Sequence, residues 1–319
     1  MRRLERFFAA ATLALAPVLG SAQTDLAEVR VEVQDDANHV LTIDGSRIEV
    51  HFSDESLYPN RDMFLEWISY SAQAVHHYYG RFPVDRVALA LLTYNGGGVS
   101  GGKQFSGKLP LINVTVGNRS TAAELRNDWI MVHEMIHLAL ADLPQKNRWL
   151  EEGLAVYVES IARAQVGHID EEFVWRGFLG GMPHGIPKQG DRGLDNTPTW
   201  GRTYWGGALF CLLADVEIRE RTNNRYSLQH AVRAIVSEGY SSNVDSLVTP
   251  VLEVADAAVG VDVLLPMYRK MSVNPEMPAL DELWQSLGVS VVDGEIRYDD
   301  SAPLAHVREA LMKTQAPVS

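Results

Sequence analysis

The sequence predicts an α+β fold in which a small mixed-sheet lobe, residues 23–118, precedes a mainly helical lobe, residues 119–319. Three observations predict it. Apolar and polar residues alternate from Val29 to Phe52 and again from Leu111 to Val116, the period of half-buried strands. From Thr121 onward the apolar spacing becomes almost wholly that of helices. A length of 319 residues, 46% hydrophobic and 22% charged, suffices for one large domain or two closely packed lobes.

Residues 1–22 read as a secretory signal peptide: Arg2, Arg3 and Arg6, an apolar run from Phe7 to Leu19, then Gly20-Ser21-Ala22. The run is shorter than the ~20 residues a membrane span needs, and no later stretch is apolar enough, so the expectation is export to the periplasm without a span in the mature chain. The segments Val29–Val33 and Arg47–Phe52, with Asp44-Gly45 between them, predict two strands and a turn. Phe64, Ile68, Ala72, Val75 and Tyr79 predict a helix over 60–81, stopped by Gly80 and Pro83. Val87 to Tyr94 predicts a buried strand, and 111–116 another. Thr121 and Glu124 have capping-box spacing before a helix expected to run through Leu140. A second helix is predicted over 149–165 and a long loop over 167–203, where glycine, proline and aspartate accumulate. Further helices are predicted at 204–221, 227–237, 244–258, 262–271, 279–287 and 302–314.

A net charge of −13 gives no electrostatic support to a nucleic-acid or anionic-membrane partner, and no basic stripe compensates. The single cysteine, Cys211, lies in an apolar run and reads as core.

His133-Glu134-Met135-Ile136-His137 matches the HExxH pattern. Histidines four apart on a helix share a face, so both imidazoles can reach one tetrahedral zinc while Glu134 reaches its water. The alternative is a helix surface carrying two histidines by coincidence. Trp129, Ile130, Met131, Val132, Met135, Ile136, Leu138 and Leu140 make this helix apolar nearly all round and argue for burial, where polar groups need partners. A third ligand is expected from another element. Trp149-Leu150-Glu151-Glu152-Gly153 offers two glutamates, and spacing does not choose between them. Two histidines and a carboxylate also suit iron, although the HExxH helix favours zinc.

These residues resemble the gluzincin metallopeptidases, most of all the catalytic domain of the glycyl aminopeptidase family. The resemblance implies a zincin-like (thermolysin-like) catalytic domain with its active site between the lobes. It assigns the third ligand to Glu152, the glutamate directly before glycine in a Trp-x-x-Glu-Gly motif, and leaves Glu151 solvated or beside the ligands. Downstream, Tyr204-Trp205-Gly206-Gly207 and Asp215 with Arg219 resemble that family's tyrosine-containing helix, which implies that the Tyr204 phenol donates to an oxyanion. Gly206 departs from the lysine usual there. The alternative for Tyr204 is a core aromatic, and Asp215 and Arg219 read as a helix-surface or structural pair.

Within the glycine-rich stretch Gly96–Gly102, Gly97 to Lys103 has the spacing of a phosphate loop, but Gln104 replaces the required serine or threonine and a strand, not a helix, follows. The stretch is either a flexible turn or a segment that lets a peptide backbone approach. No glutamate between Gly96 and Gly107 offers an amine site of the aminopeptidase kind; Asp170, Glu171, Glu172 or Asp191 could substitute. The expectation is an exported zinc peptidase acting on a peptide or protein, with Glu134 and Tyr204 catalytic and His133, His137 and Glu152 holding Zn2+. The alternatives are a zinc-stabilised peptide-binding protein and a zinc hydrolase of a non-peptide substrate. The remaining histidines, among them His76, His77, His168 and His184, read as surface or core residues, and His184 is the one whose distance from the metal is worth checking.

Overall fold

The computed structural model describes residues 26–276 and 278–313. The signal-peptide expectation for residues 1–22 lies outside them. Six strands form one sheet: β1 (Val29–Val33), β2 (Asn38–Ile43), β3 (Ser46–Phe52), β4 (Arg86–Tyr94), β5 (Val99–Phe105) and β6 (Leu111–Gly117). Their order is β1-β2-β3-β4-β6-β5. β3, β4 and β6 run parallel, and β1, β2 and β5 are joined antiparallel to their neighbours. A parallel β3–β4 pair needs a crossover, and the helix α1 (Arg61–Tyr79) supplies it. Ile48, Val50 and Phe52, then Val87, Leu89 and Leu91, then Ile112, Val114 and Val116 are buried in strict alternation. Phe52 meets Phe64 of α1 edge-on across this face.

The helical part comprises α2 (Ala122–Asn127), α3 (Ile130–Ile136), α4 (Arg148–Gln165), α5 (Glu171–Gly181), α6 (Gly207–Thr222), α7 (Leu228–Ser237), α8 (Val248–Val259), α9 (Leu264–Met271), α10 (Leu280–Leu287) and α11 (Ala305–Leu311). A hairpin, β7 (Val289–Val292) and β8 (Glu295–Tyr298), lies between the last two. The architecture is thus the expected α+β, with a sheet lobe and a helical lobe, and α1 packs against α3, α4 and α7 so that one apolar core runs through both. Cys211 is buried in it. Among the described residues no helix is long and apolar enough to cross a membrane.

Four expectations need correction. The Val29–Phe52 region holds three strands, because Asn38–Ile43 pairs on both sides. The glycine-rich stretch is a turn only over its first half, Gly96 to Gly98; from Val99 on it pairs with β6 as the sheet's edge strand. The helix expected from 121 to 140 is two helices. The capping box of Thr121 and Glu124 starts α2 as expected, but Asp128 turns extended and its carboxylate accepts from the Ile130 and Met131 N–H groups, capping a new helix. Lastly, the 167–203 loop contains α5, whose cap is Asp170, accepting from the Phe173 N–H.

At the C-terminus of α4, Gly167 adopts a left-handed conformation, φ +77°, and turns His168 onto the Tyr70 ring of α1. Neither imidazole nitrogen of His168 has a hydrogen-bond partner among the described residues. Burial, helped by the Arg163 charge, lowers its pKa to about 3. A histidine held neutral in the fold titrates near 6.5 once unfolded. The unfolded chain therefore binds more protons between pH 6.5 and 3, and His168's contribution to stability falls as pH drops through that window. His168→Phe is expected to keep the ring contact and to lose less stability between pH 7.5 and 4.5 than the wild type does, by a few kcal/mol at most. Urea unfolding at both pH values measures the difference; equal losses would show that His168 does not set it.

Candidate metal centre

α3 ends at Ile136 and tightens into a 3-10 turn, His137–Ala139, whose first N–H bonds to the His133 carbonyl. The two histidines are therefore one turn apart, with ring centroids 4.9 Å apart and nearly perpendicular. Glu152 arrives from the second turn of α4. Its Oε2 lies 3.3 Å from the His133 Nε2 and 3.5 Å from the His137 Nε2, and one ligand atom from each of the three residues falls within 4.8 Å of the others. Ligands bound at about 2.0–2.1 Å around a tetrahedral ion stand ~3.3–3.4 Å apart. Both Glu152 separations match that spacing. The donor set, two imidazoles and a carboxylate with His133 and Glu152 buried and His137 partly so, fits a divalent cation.

The other oxygen of Glu152 is taken. Arg148, one turn earlier on α4, donates to Oε1 from Nε at 3.1 Å and from a terminal nitrogen at 2.9 Å, so Oε2 alone is offered to the histidines. Burial pushes the Glu152 pKa up, but the hydrogen bonds from His133 and His137, the His137 charge and the Arg148 contact outweigh it and hold the carboxyl far below its usual range. Arg148 was not legible as a site residue. Its spacing to Glu152 is that of any i,i+4 surface pair.

Glu151 points elsewhere. It accepts from the Leu143 N–H at 3.1 Å, and burial, with Asp142 and Glu152 nearby, raises its pKa to about 7. The structure thus separates the two glutamates that spacing left equivalent. Glu134 is 7% exposed and lies under β5, where a Cβ on Gly102 would fall 2.5 Å from the Glu134 Cγ. Glycine is required there because α3 and the edge strand approach so closely. Burial raises the Glu134 pKa, partly offset by the His133 charge and by a hydrogen bond from the Gln104 backbone.

Tyr204 lies in a π-helical stretch, Gly201–Gly206, that leads into α6; such stretches recur at functional sites. Its phenol stands beside Glu152 and Arg148, and its pKa is raised by burial and by the Glu152 charge. The core-aromatic alternative falls, since the ring is half-buried beside the cluster. At Gly206 a Cβ would press on the end of the Leu194 side chain, 2.8 Å away; the cation beside Tyr204 is Arg148 on α4.

Two devices bring these elements together. α4 and α6 cross backbone to backbone: a Cβ on Gly153 would lie 2.2 Å from Gly207, and one on Gly207 would lie 2.0 Å from the Trp149 carbonyl. Asp195 anchors the start of α4 by accepting from the Trp149 indole at 2.8 Å and from the Asn147 amide at 3.0 Å, with Lys146 3.2 Å away. Asp215 and Arg219 are buried, not on the surface; Asp215 accepts from Arg219, the Tyr157 hydroxyl and the Leu228 N–H. His184 is exposed and stands edge-on to Trp200, outside the ligand cluster. The four acidic residues considered for an amine site are committed elsewhere: Asp170 caps α5, Glu171 accepts from Trp175, Glu172 pairs with Arg176 and Asp191 with Arg202.

Among solved structures, the chain is similar to an aminopeptidase N family protein from Idiomarina loihiensis, with TM-score 0.59 and 14% identity over 86% of this chain and 53% of that one. It is also similar to the M1 zinc metallopeptidase from Deinococcus radiodurans, with TM-score 0.44 and 17% identity over 80% of this chain and 53% of that chain. A third likeness, to aminopeptidase A of Legionella pneumophila in complex with aspartic acid, has TM-score 0.48 and 13% identity over 77% and 28%. The first of these shows a shared fold. The chain spans about half the length of that structure. No family model matches the chain, and no curated protein matches it.

Gly153→Ala is expected to destabilise the protein by about 3 kcal/mol, because the methyl meets backbone that cannot rotate away. A control, Gly177→Ala on α5, has open space and is expected to change stability by less than about 1 kcal/mol in the favourable direction. Urea unfolding of both variants tests the crossing; a neutral Gly153→Ala would show that the helices can part.

Proposed function

We propose that the protein is an exported zinc peptidase of the gluzincin type, in which His133, His137 and Glu152 hold the metal and Glu134 and Tyr204 act on the substrate. The observation that carries this reading is the convergence of the two imidazoles on Glu152 Oε2, at 3.3 and 3.5 Å, beside a buried carboxylate and a phenol. The fold shared with an aminopeptidase N family protein supports it. Export rests on the pattern of residues 1–22.

Bound at this cluster, zinc supplies the positive charge that acidifies water and polarises a carbonyl. Glu134, with its pKa raised by burial, is the base that takes a proton from the attacking water and passes it to the leaving amine. The Tyr204 phenol, kept protonated by burial and by the Glu152 charge, donates to the oxygen on which negative charge develops. Arg148 holds Glu152 Oε1, so that one oxygen faces the histidines and the carboxylate keeps its orientation. The free edge of β5 runs past Glu134 and offers backbone hydrogen bonds to an extended peptide.

Elemental mass spectrometry of the purified mature protein is expected to find one equivalent of zinc, lost in His137→Ala. Glu134→Gln is expected to keep the zinc while peptide hydrolysis falls by roughly 10²- to 10⁴-fold. Folded protein without stoichiometric metal would overturn the reading, and full activity in Glu134→Gln would remove Glu134 as the base. Arg148→Gln is expected to weaken zinc affinity about 10- to 100-fold, measured by competition with a chelator; unchanged affinity would mean that Glu152 orients itself without the arginine.

A further inference from the structure

Each of the two segments that bring an aromatic or imidazole ring to the cluster carries a tryptophan one turn earlier. Trp129 precedes His133 by four residues and meets its ring edge-on at 5.4 Å. Trp200 precedes Tyr204 by four residues, with ring centroids 6.5 Å apart, and His184 packs on it at 5.5 Å. Side chains on a helix lean toward its N-terminus, so His133 and Tyr204 lean back onto the indole one turn before them. Yet Trp129 is 49% exposed and Trp200 61% exposed. Single exposed apolar residues are ordinary on a surface. Two exposed indoles, each in ring contact with a different member of one cluster, are not scattered in that sense. They present apolar area at the site that the fold itself does not cover.

The polar groups nearby narrow what could cover it. Glu151 is bound to the Leu143 N–H, Glu152 to Arg148, and Glu134 lies buried under β5. Asp170, Glu171, Glu172 and Asp191 have the partners named above, so among the described residues none of these carboxylates stands uncommitted for a substrate ammonium group. Apart from the β5 edge and the half-exposed Arg148, the surface on offer at the two indoles is apolar and aromatic.

We infer that Trp129 and Trp200 are specificity-determining walls of the site, and that it selects peptides carrying an aromatic side chain beside the scissile bond over those carrying glycine. This rests on the peptidase reading for its catalytic consequence, but the walls are tested by binding alone. The amides of N-acetylphenylalanine and N-acetylglycine are titrated into the zinc-loaded protein by ligand-observed NMR, for wild type, Trp129→Ala, Trp200→Ala and Trp200→Phe. The phenylalanine amide is expected to bind at least about 10-fold more tightly than the glycine amide. Both alanine variants are expected to reduce that ratio several-fold with zinc content unchanged, and Trp200→Phe to retain most of it.

Equal affinity for the two amides, or a preference that survives both alanine variants, would overturn the proposal. In parallel, matched internally quenched peptides with Phe or Gly beside the scissile bond are assayed for cleavage. A binding preference without any cleavage supports the walls and counts against the peptidase reading. Cleavage that favours Gly over Phe overturns the walls and leaves that reading standing.

Discussion

The arrangement of the site depends on one steric constraint, the backbone contact between α4 and α6 where Gly153 and Gly207 face each other. Helices normally pack with their axes 8–10 Å apart because side chains intervene. Here neither position has room for a methyl group. The contact lies one residue after Glu152 and three residues after Tyr204, so the closeness of the helices is what brings carboxylate and phenol together. Asp195 fixes the other degree of freedom by tethering the Trp149 indole and the Asn147 amide at the start of α4. A third close contact, Gly102 against Glu134, sets the distance between the edge strand and α3.

Within that frame three neighbouring carboxylates acquire different properties from different partners. Glu152 meets two imidazoles and a guanidinium and is held ionised. Glu134 is buried with only partial compensation, and its proton affinity rises. Glu151 is buried beside Asp142 and Glu152 and rises further, to about 7. Carboxylates driven apart in this way can divide the work of binding a cation and exchanging a proton. The chemistry is set less by the residue type than by the partners each residue meets.

Local signals in the sequence carry through to the structure where they are short in range. The capping box at Thr121 and Glu124, the glycine stop of α1 and the alternation of β4 and β6 depend on hydrogen bonds and burial within a few residues. Local signals mislead where a distant one competes with them. Asp128 reads as one more polar residue in a helical run, and only its bonds to Ile130 and Met131 show that it caps a second helix. The glycines of β5 read as a turn because strand propensity disfavours glycine, yet pairing with β6 and contact with Glu134 select them. α5 was hidden by the glycines and prolines that follow it, although Asp170 with Glu171 and Glu172 is a helix start.

The sequence by itself determined the α+β class and the pairing of His133 with His137, because 3.6 residues per turn places residues four apart on one face whatever surrounds the helix. It also put Glu134 beside the first of them. Spacing left Glu151 and Glu152 open, and the resemblance pointed to Glu152 and Tyr204; the tertiary structure turned Glu152 and not Glu151 to the histidines, set Tyr204 beside the cluster and brought in Arg148. Those outcomes depend on how far apart two helices lie and how each is rotated about its axis. Both are set by contacts between residues tens of positions apart, which no local spacing encodes.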